Sequence, residues 1–128
     1  MDDMEDFEQE MKLDFIEEAY ELLANIEQAF LKLEDNQDDK ELIDEIFRFA
    51  HNLKGTSRAV GFGVITEFTH ELESLILKIK KGDIPVNDDV VSVLLESNDH
   101  IILMVDGLKE DFTSTFDSQG LVGKITAL

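Results

Sequence analysis

Residues 40–63 read KELIDEIFRFAHNLKGTSRAVGFG, and this stretch decides the architecture. Leu42, Ile46, Phe49, Ala50 and Leu53 recur at the spacing of one apolar stripe on an α-helix. The pattern predicts a helix over about residues 40–60. It stops at Gly61-Phe62-Gly63, where two glycines around a Phe predict a tight turn with the ring tucked beneath the packed helices.

The same period continues on both sides. Upstream, Phe7, Met11, Phe15, Ala19, Leu22, Ile26, Phe30 and Leu33 mark a first helix over about 4–33. Glu10, Glu17, Glu21 and Glu27 fall on its solvated face, and the polar run 34–39 ends it. Downstream, Ile65, Phe68, Leu72, Leu75, Ile76 and Ile79 mark a third helix over about 64–81. Lys78, Lys80 and Lys81 precede Gly82 and suit the negative end of that helix's dipole. Asn87 is placed to cap a fourth helix over 88–111. Val90, Val91, Leu94, Leu95, Ile101, Ile102, Val105 and Leu108 face its inner side, with Asn98 expected as a hydrogen-bonded amide beside them.

Four amphipathic helices on short connectors predict an all-α fold, an antiparallel up-down-up-down four-helix bundle over residues 1–112. Past Phe112 the pattern fails. Residues 113–128 read as a linker or as a short fifth helix docked on the bundle. The linker-like run is what a domain cut from a longer chain would carry.

Composition narrows the function. The 128 residues are 43% apolar, enough for one core, with one Pro, seven Gly and no Cys. Disulfides and thiolate metal sites are excluded. A net charge of −19 disfavours nucleic acid and anionic lipid and favours partners with basic patches. No apolar run approaches the roughly 20 residues that span a bilayer. The acidic N-terminus Met1-Asp2-Asp3-Met4-Glu5-Asp6 is no signal peptide, so a cytosolic, cytoplasmic protein is expected.

The informative polar residues lie on the second and third helices. His51 sits roughly 120° from the centre of its helix's core stripe, with Asp44, Phe47, Lys54 and Arg58 on its side. Gly55 adds no side chain there, which leaves room for an approaching protein or phosphoryl group. On the third helix His70 and Glu73 lie on the outward face, with Thr66 and Leu77 in line. Were the two helices antiparallel neighbours, His51, Lys54, His70 and Glu73 would cluster at one groove edge. A neutral imidazole with one free nitrogen is a nucleophile near neutral pH. A carboxylate on the other nitrogen fixes its tautomer, and a nearby lysine offsets phosphoryl charge. Residue type alone also allows an ordinary surface histidine and a helical His-Glu ion pair. A metal site fits poorly. His70-Glu71-Leu72-Glu73-Ser74 begins like a zinc helix, yet Ser74 stands where the second histidine must be.

Phe47-Arg48-Phe49-Ala50-His51-Asn52-Leu53-Lys54-Gly55-Thr56-Ser57 resembles the phosphorylation segment of histidine-containing phosphotransfer (HPt) domains, with its His-x-x-Lys-Gly core. Gly61-Phe62 and then Thr69-His70-Glu71-Leu72-Glu73 resemble the N-terminal phosphotransfer domains of the CheA chemotaxis histidine kinases. The resemblance covers about residues 7–112. It implies two-component signalling, with His51 as the phosphorylated nucleophile and Glu73 orienting its ring. It further implies Lys54 and His70 in the polar network and Gly55 giving partners access. Family members often continue with small residues, whereas this chain has Thr56-Ser57-Arg58-Ala59-Val60. Arg58 therefore either tunes partner choice or shields the acidic surface.

The implied partners are a histidine kinase catalytic domain and response-regulator receiver domains. The kinase domain would supply ATP and Mg²⁺, and the receiver its own Mg²⁺. The chain has no Gly-rich nucleotide loop of the Walker type, so no cofactor is expected in this domain. It would be a monomeric phosphoryl carrier rather than an enzyme, its parent an ATP-dependent kinase. A stand-alone phosphorelay protein and an adaptor bundle with an incidental histidine are the alternatives.

Overall fold

The computed structural model describes residues 3–128; the first two residues of the acidic stretch read above as no signal peptide lie outside them. Five helices follow in order: α1 (Asp3–Asp35), α2 (Lys40–Val60), α3 (Gly63–Lys80), α4 (Asp88–Glu110) and α5 (Gln119–Thr126). The first four form the expected antiparallel bundle. α1 packs against α2 and α4, and α2 lies along α3.

Local chemistry sets the helix ends. Asp39 caps α2, its carboxylate accepting from the Glu41 and Leu42 backbone N–H at 3.0 and 3.2 Å. Asn87 caps α4 as expected, accepting from Val90 N–H at 2.9 Å. α2 ends on Gly61 at φ 85°, a left-handed conformation that only glycine adopts freely. Phe62 N–H then bonds back to the Ser57 carbonyl at 2.9 Å. The chain reverses at once, so α2 and α3 become a tight antiparallel hairpin. The Phe62 ring is buried between Phe15 and Phe112, at 5.5 and 5.7 Å between centroids, and closes that end of the bundle.

The core is a single apolar cluster from all five helices, including Leu23, Phe30, Leu53, Ile65, Leu72, Leu94, Ile101 and Ile125. Tyr20 pins α1 to α4 by donating to Asp106. Burial first, and then that bond, push its phenol up to about 12.

Three expectations are corrected. Phe7 and Met11 are 57% and 43% exposed, not core. α1 has 33 residues against 21 in α2, about 50 Å against about 32 Å, so its first turns run past α2 and leave these side chains in solvent. Leu22, Leu42, Leu95 and Ile102 are only half-buried against the core, and Leu23 and Ile43 are buried beside the first two. Asn98 is buried, yet its Oδ1 meets no donor among the described residues.

The segment after Phe112 resolves the choice left open by the sequence. α5 docks on α3 and α4 through buried Ile125. Lys124 pairs with Glu96 at 3.1 Å, and His100 shares a 2.6 Å hydrogen bond with Ser118. Phe116 lies on Gly107, where an added Cβ would come within 2.5 Å of its ring.

Candidate functional site

The site is a consequence of the α2–α3 hairpin. With the turn centred on Phe62, residues equally far from it in sequence come level on the two helices. Asp44 and Lys80 are each eighteen residues away, and they form an ion pair at 3.1 Å. His51 and Glu73 are each eleven away. Buried Ser57 and half-buried Thr66 join by a 2.8 Å hydrogen bond nearer the turn, and Thr69 is buried with its hydroxyl donating to Ile65 O at 2.7 Å. Small side chains at this seam let the two helices approach closely and hold the register.

Glu73 is the junction. Its Oε2 lies 2.9 Å from His51 Nδ1, and its Oε1 accepts from Lys54 Nζ at 2.8 Å. The imidazole is 66% exposed, while Glu73 and Lys54 are only 15% and 23% exposed. Burial of Glu73 pushes its carboxyl upward, but the bonds from Lys54 and His51 outweigh this and hold it below the usual range. An ionised carboxylate accepts only, so His51 Nδ1 carries the proton. The lone pair then resides on Nε2.

The other expected residues fall as follows. Gly55 is exposed, and a Cβ there would meet nothing within 4 Å. The fold therefore does not need a glycine at this place. His70 was expected in the polar network, but no hydrogen bond of its ring joins it among the described residues. It lies eight residues from Phe62, level with Lys54 rather than with His51. His70, Lys54 and Arg58 instead line a groove of about 740 Å³ whose apolar wall includes Phe68, Phe116 and Val122. Among the described residues no three His, Cys, Asp or Glu converge as metal ligands, and no helix is long and apolar enough to cross a membrane.

Phe47 beside His51, and Lys80 beside Phe47, had no assigned part in the chemistry. The Phe47 ring stacks on His51, with centroids 6.1 Å apart and planes 14° from parallel. Lys80 Nζ stands over the Phe47 ring, 4.8 Å from its centroid. The signal for Phe47 was its place one turn before His51. The signal for Lys80 is visible only once the hairpin register is known.

Comparison with known proteins identifies the family and the fold. The family model described as "Hpt domain" matches residues 10–111. The chain is 36% identical over 99 residues to the sensor histidine kinase CheAY of Helicobacter pylori, covering 77% of this chain and 12% of that protein. It is 37% identical over 95 residues to the chemotaxis protein CheA of Salmonella typhimurium, covering 74% of this chain and 14% of that protein. The chain thus spans about a seventh or less of these relatives. The CheA phosphotransferase domain of Thermotoga maritima superposes with a TM-score of 0.73 at 34% identity, over 77% of this chain and 94% of that one. The phosphorylated P1 domain of CheA3 in complex with CheY6 from R. sphaeroides superposes at 0.83 over 92% of this chain and 94% of that one. At 22% identity that likeness speaks for the fold alone.

Proposed function

The chain belongs to the Hpt domain family, and from that premise we propose that it carries phosphoryl groups on His51 between a CheA-type kinase domain and response-regulator receiver domains. One observation carries the reading. The exposed imidazole of His51 is held by its Nδ1 on an ionised Glu73, which leaves Nε2 as an oriented nucleophile facing solvent.

In the first step Nε2 attacks the γ-phosphorus of ATP in line. The P–Nε2 bond forms, the bond to the bridging oxygen breaks, and ADP leaves with the electron pair. Nδ1 keeps its proton, and the Glu73 carboxylate offsets the positive charge that the ring acquires. Lys54, held on Glu73 Oε1, keeps that carboxylate ionised and adds a cation near the phosphoryl oxygens. In the second step a receiver's aspartate oxygen attacks the phosphorus, the P–N bond breaks, and His51 returns to its neutral form. ATP and Mg²⁺ come with the kinase domain, and Mg²⁺ with the receiver. The domain is thus substrate and carrier within a chemotaxis signalling pathway. The parent chain is an ATP-dependent protein histidine kinase.

The test is direct. The chain is incubated with the kinase domain of a CheA relative and Mg·ATP labelled at the γ-phosphate. Acid-labile, base-stable label is expected, and it should vanish in His51→Gln. Label that survives the substitution sinks the reading.

A further inference from the structure

A single hydrogen bond does not fix an exposed imidazole. The ring can swing about its Cβ–Cγ bond, where the rotamer wells are broad. A half-turn would put Cδ2 where Nδ1 now meets Glu73. Something beside the ring must narrow that swing if Nε2 is to be the nucleophile in most encounters.

The Phe47 ring is in place to do so. It lies one helical turn before His51 and nearly parallel to it, within the range of a stacked aromatic pair. Phe47 is itself half-buried against the core, so it is not free to follow the imidazole. Lys80 Nζ stands over the Phe47 ring and is tethered by Asp44 Oδ1 at 3.1 Å. The tether crosses the hairpin in the register that brings Glu73 to His51. One helix pairing thus sets both the hydrogen-bond partner of His51 and the seat of the ring stacked on it.

We propose that Phe47, seated by the Lys80–Asp44 pair, is a positioning residue for His51, holding the imidazole in the plane where Nδ1 meets Glu73 and Nε2 faces the phosphoryl donor. The proposal rests on the reading of His51 as acceptor. Phe47 acts through His51 and touches no reacting atom. Plain packing would also place a Phe here, so the test must read the imidazole itself.

The chain is labelled with ¹⁵N-histidine and studied where His51 is neutral. Wild type should show a pyrrole-like Nδ1 and a pyridine-like Nε2. In Phe47→Leu both signals should move toward their average, and phosphorylation by a CheA relative's kinase domain should slow about tenfold, the scale of a misplaced reacting group. Phe47→Tyr, which keeps the ring, should restore both. Lys80→Gln, an exposed change that leaves the fold intact, should shift the signals the same way and slow the reaction about twofold, as befits one cation–π contact. Unchanged nitrogen signals in a folded Phe47→Leu protein overturn the proposal. Should that variant not fold, unchanged signals in Lys80→Gln do so instead. A wild-type chain with the expected tautomer that takes no phosphate at His51 defeats the proposed function, and with it the part of Phe47 in phosphotransfer, whereas a phosphorylated wild type beside unchanged signals in Phe47→Leu defeats the positioning role alone.

Discussion

The hairpin of α2 and α3 and the frame of α1, α4 and α5 are built differently. Seven of the eleven Lys and Arg but only six of the thirty Asp and Glu lie in residues 40–81, so the hairpin carries +1 and the rest of the chain −20. The hairpin seam holds buried Ser57 and Thr69, and its outer face holds His51, Lys54, Gly55 and Glu73. The frame contributes apolar bulk: Phe15, Leu23, Phe30, Leu94, Ile101 and Met104. The lesson concerns the net charge. A chain at −19 reads as hostile to phosphate, yet screening over about 8 Å at physiological salt means that a phosphoryl group at His51 meets chiefly the hairpin's own charges. The site stands on nearly neutral ground inside an acidic shell.

If frame and hairpin divide stability from chemistry, substitutions should separate the two. The largest effect belongs to the frame. Phe30→Ala empties a fully buried site and should cost about 3–5 kcal/mol in urea unfolding. The folded fraction should still take label at His51 at the wild-type rate. A matching loss of intrinsic rate would break the division.

Next comes the hairpin's junction. Glu73→Ala removes the acceptor for His51 Nδ1 and the partner of Lys54. Phosphorylation should slow by about 10–100-fold, as for other groups that orient a reacting histidine, while thermal unfolding changes little. Unaltered kinetics would remove Glu73 from the mechanism.

These two cases show what the sequence made legible. Phe30 announced itself by helical period alone, and so did the four long helices. The His51–Glu73 pairing needed the Gly61-Phe62-Gly63 turn as well, because only a tight reversal brings residues so far apart to one level. Phe7 and Met11 share the period of Phe30 but lie where α1 runs past α2. Periodicity records which face would be buried, not whether a neighbour is there. The sequence left α5 open between a linker and a docked helix for another reason. The docking rests on long-range contacts, Phe116 on Gly107 and Ser118 on His100, within a stretch too short to show a stripe. His70 was grouped with Glu73 because they share a helix face, yet that face spans two levels of the hairpin.

A smaller effect tests that docking. Gly107→Ala drives a Cβ into the Phe116 ring and should cost about 1–3 kcal/mol. Amide exchange should quicken across residues 116–126, with His51 chemistry untouched. Unchanged exchange would mean that Phe116 does not fasten the segment.

The smallest effect runs the other way. Gly55 sits in mid-helix with open space around it, so Gly55→Ala should stabilise the fold by about 0.5–1 kcal/mol. Transfer to a receiver domain should nevertheless slow, and Gly55→Arg should slow it further. Gains in both stability and transfer would show that the open surface beside His51 serves no partner.

The central claim is that His51 Nε2 is the phosphorylated atom because Glu73 holds Nδ1. Phosphorus–nitrogen coupling in the ¹⁵N-histidine chain, phosphorylated by a CheA-type kinase domain, reads that atom directly. The coupling is expected at Nε2 of His51, with Nδ1 still protonated. Coupling at Nδ1, at His70 or at His100, or phosphate on no nitrogen at all, would contradict it.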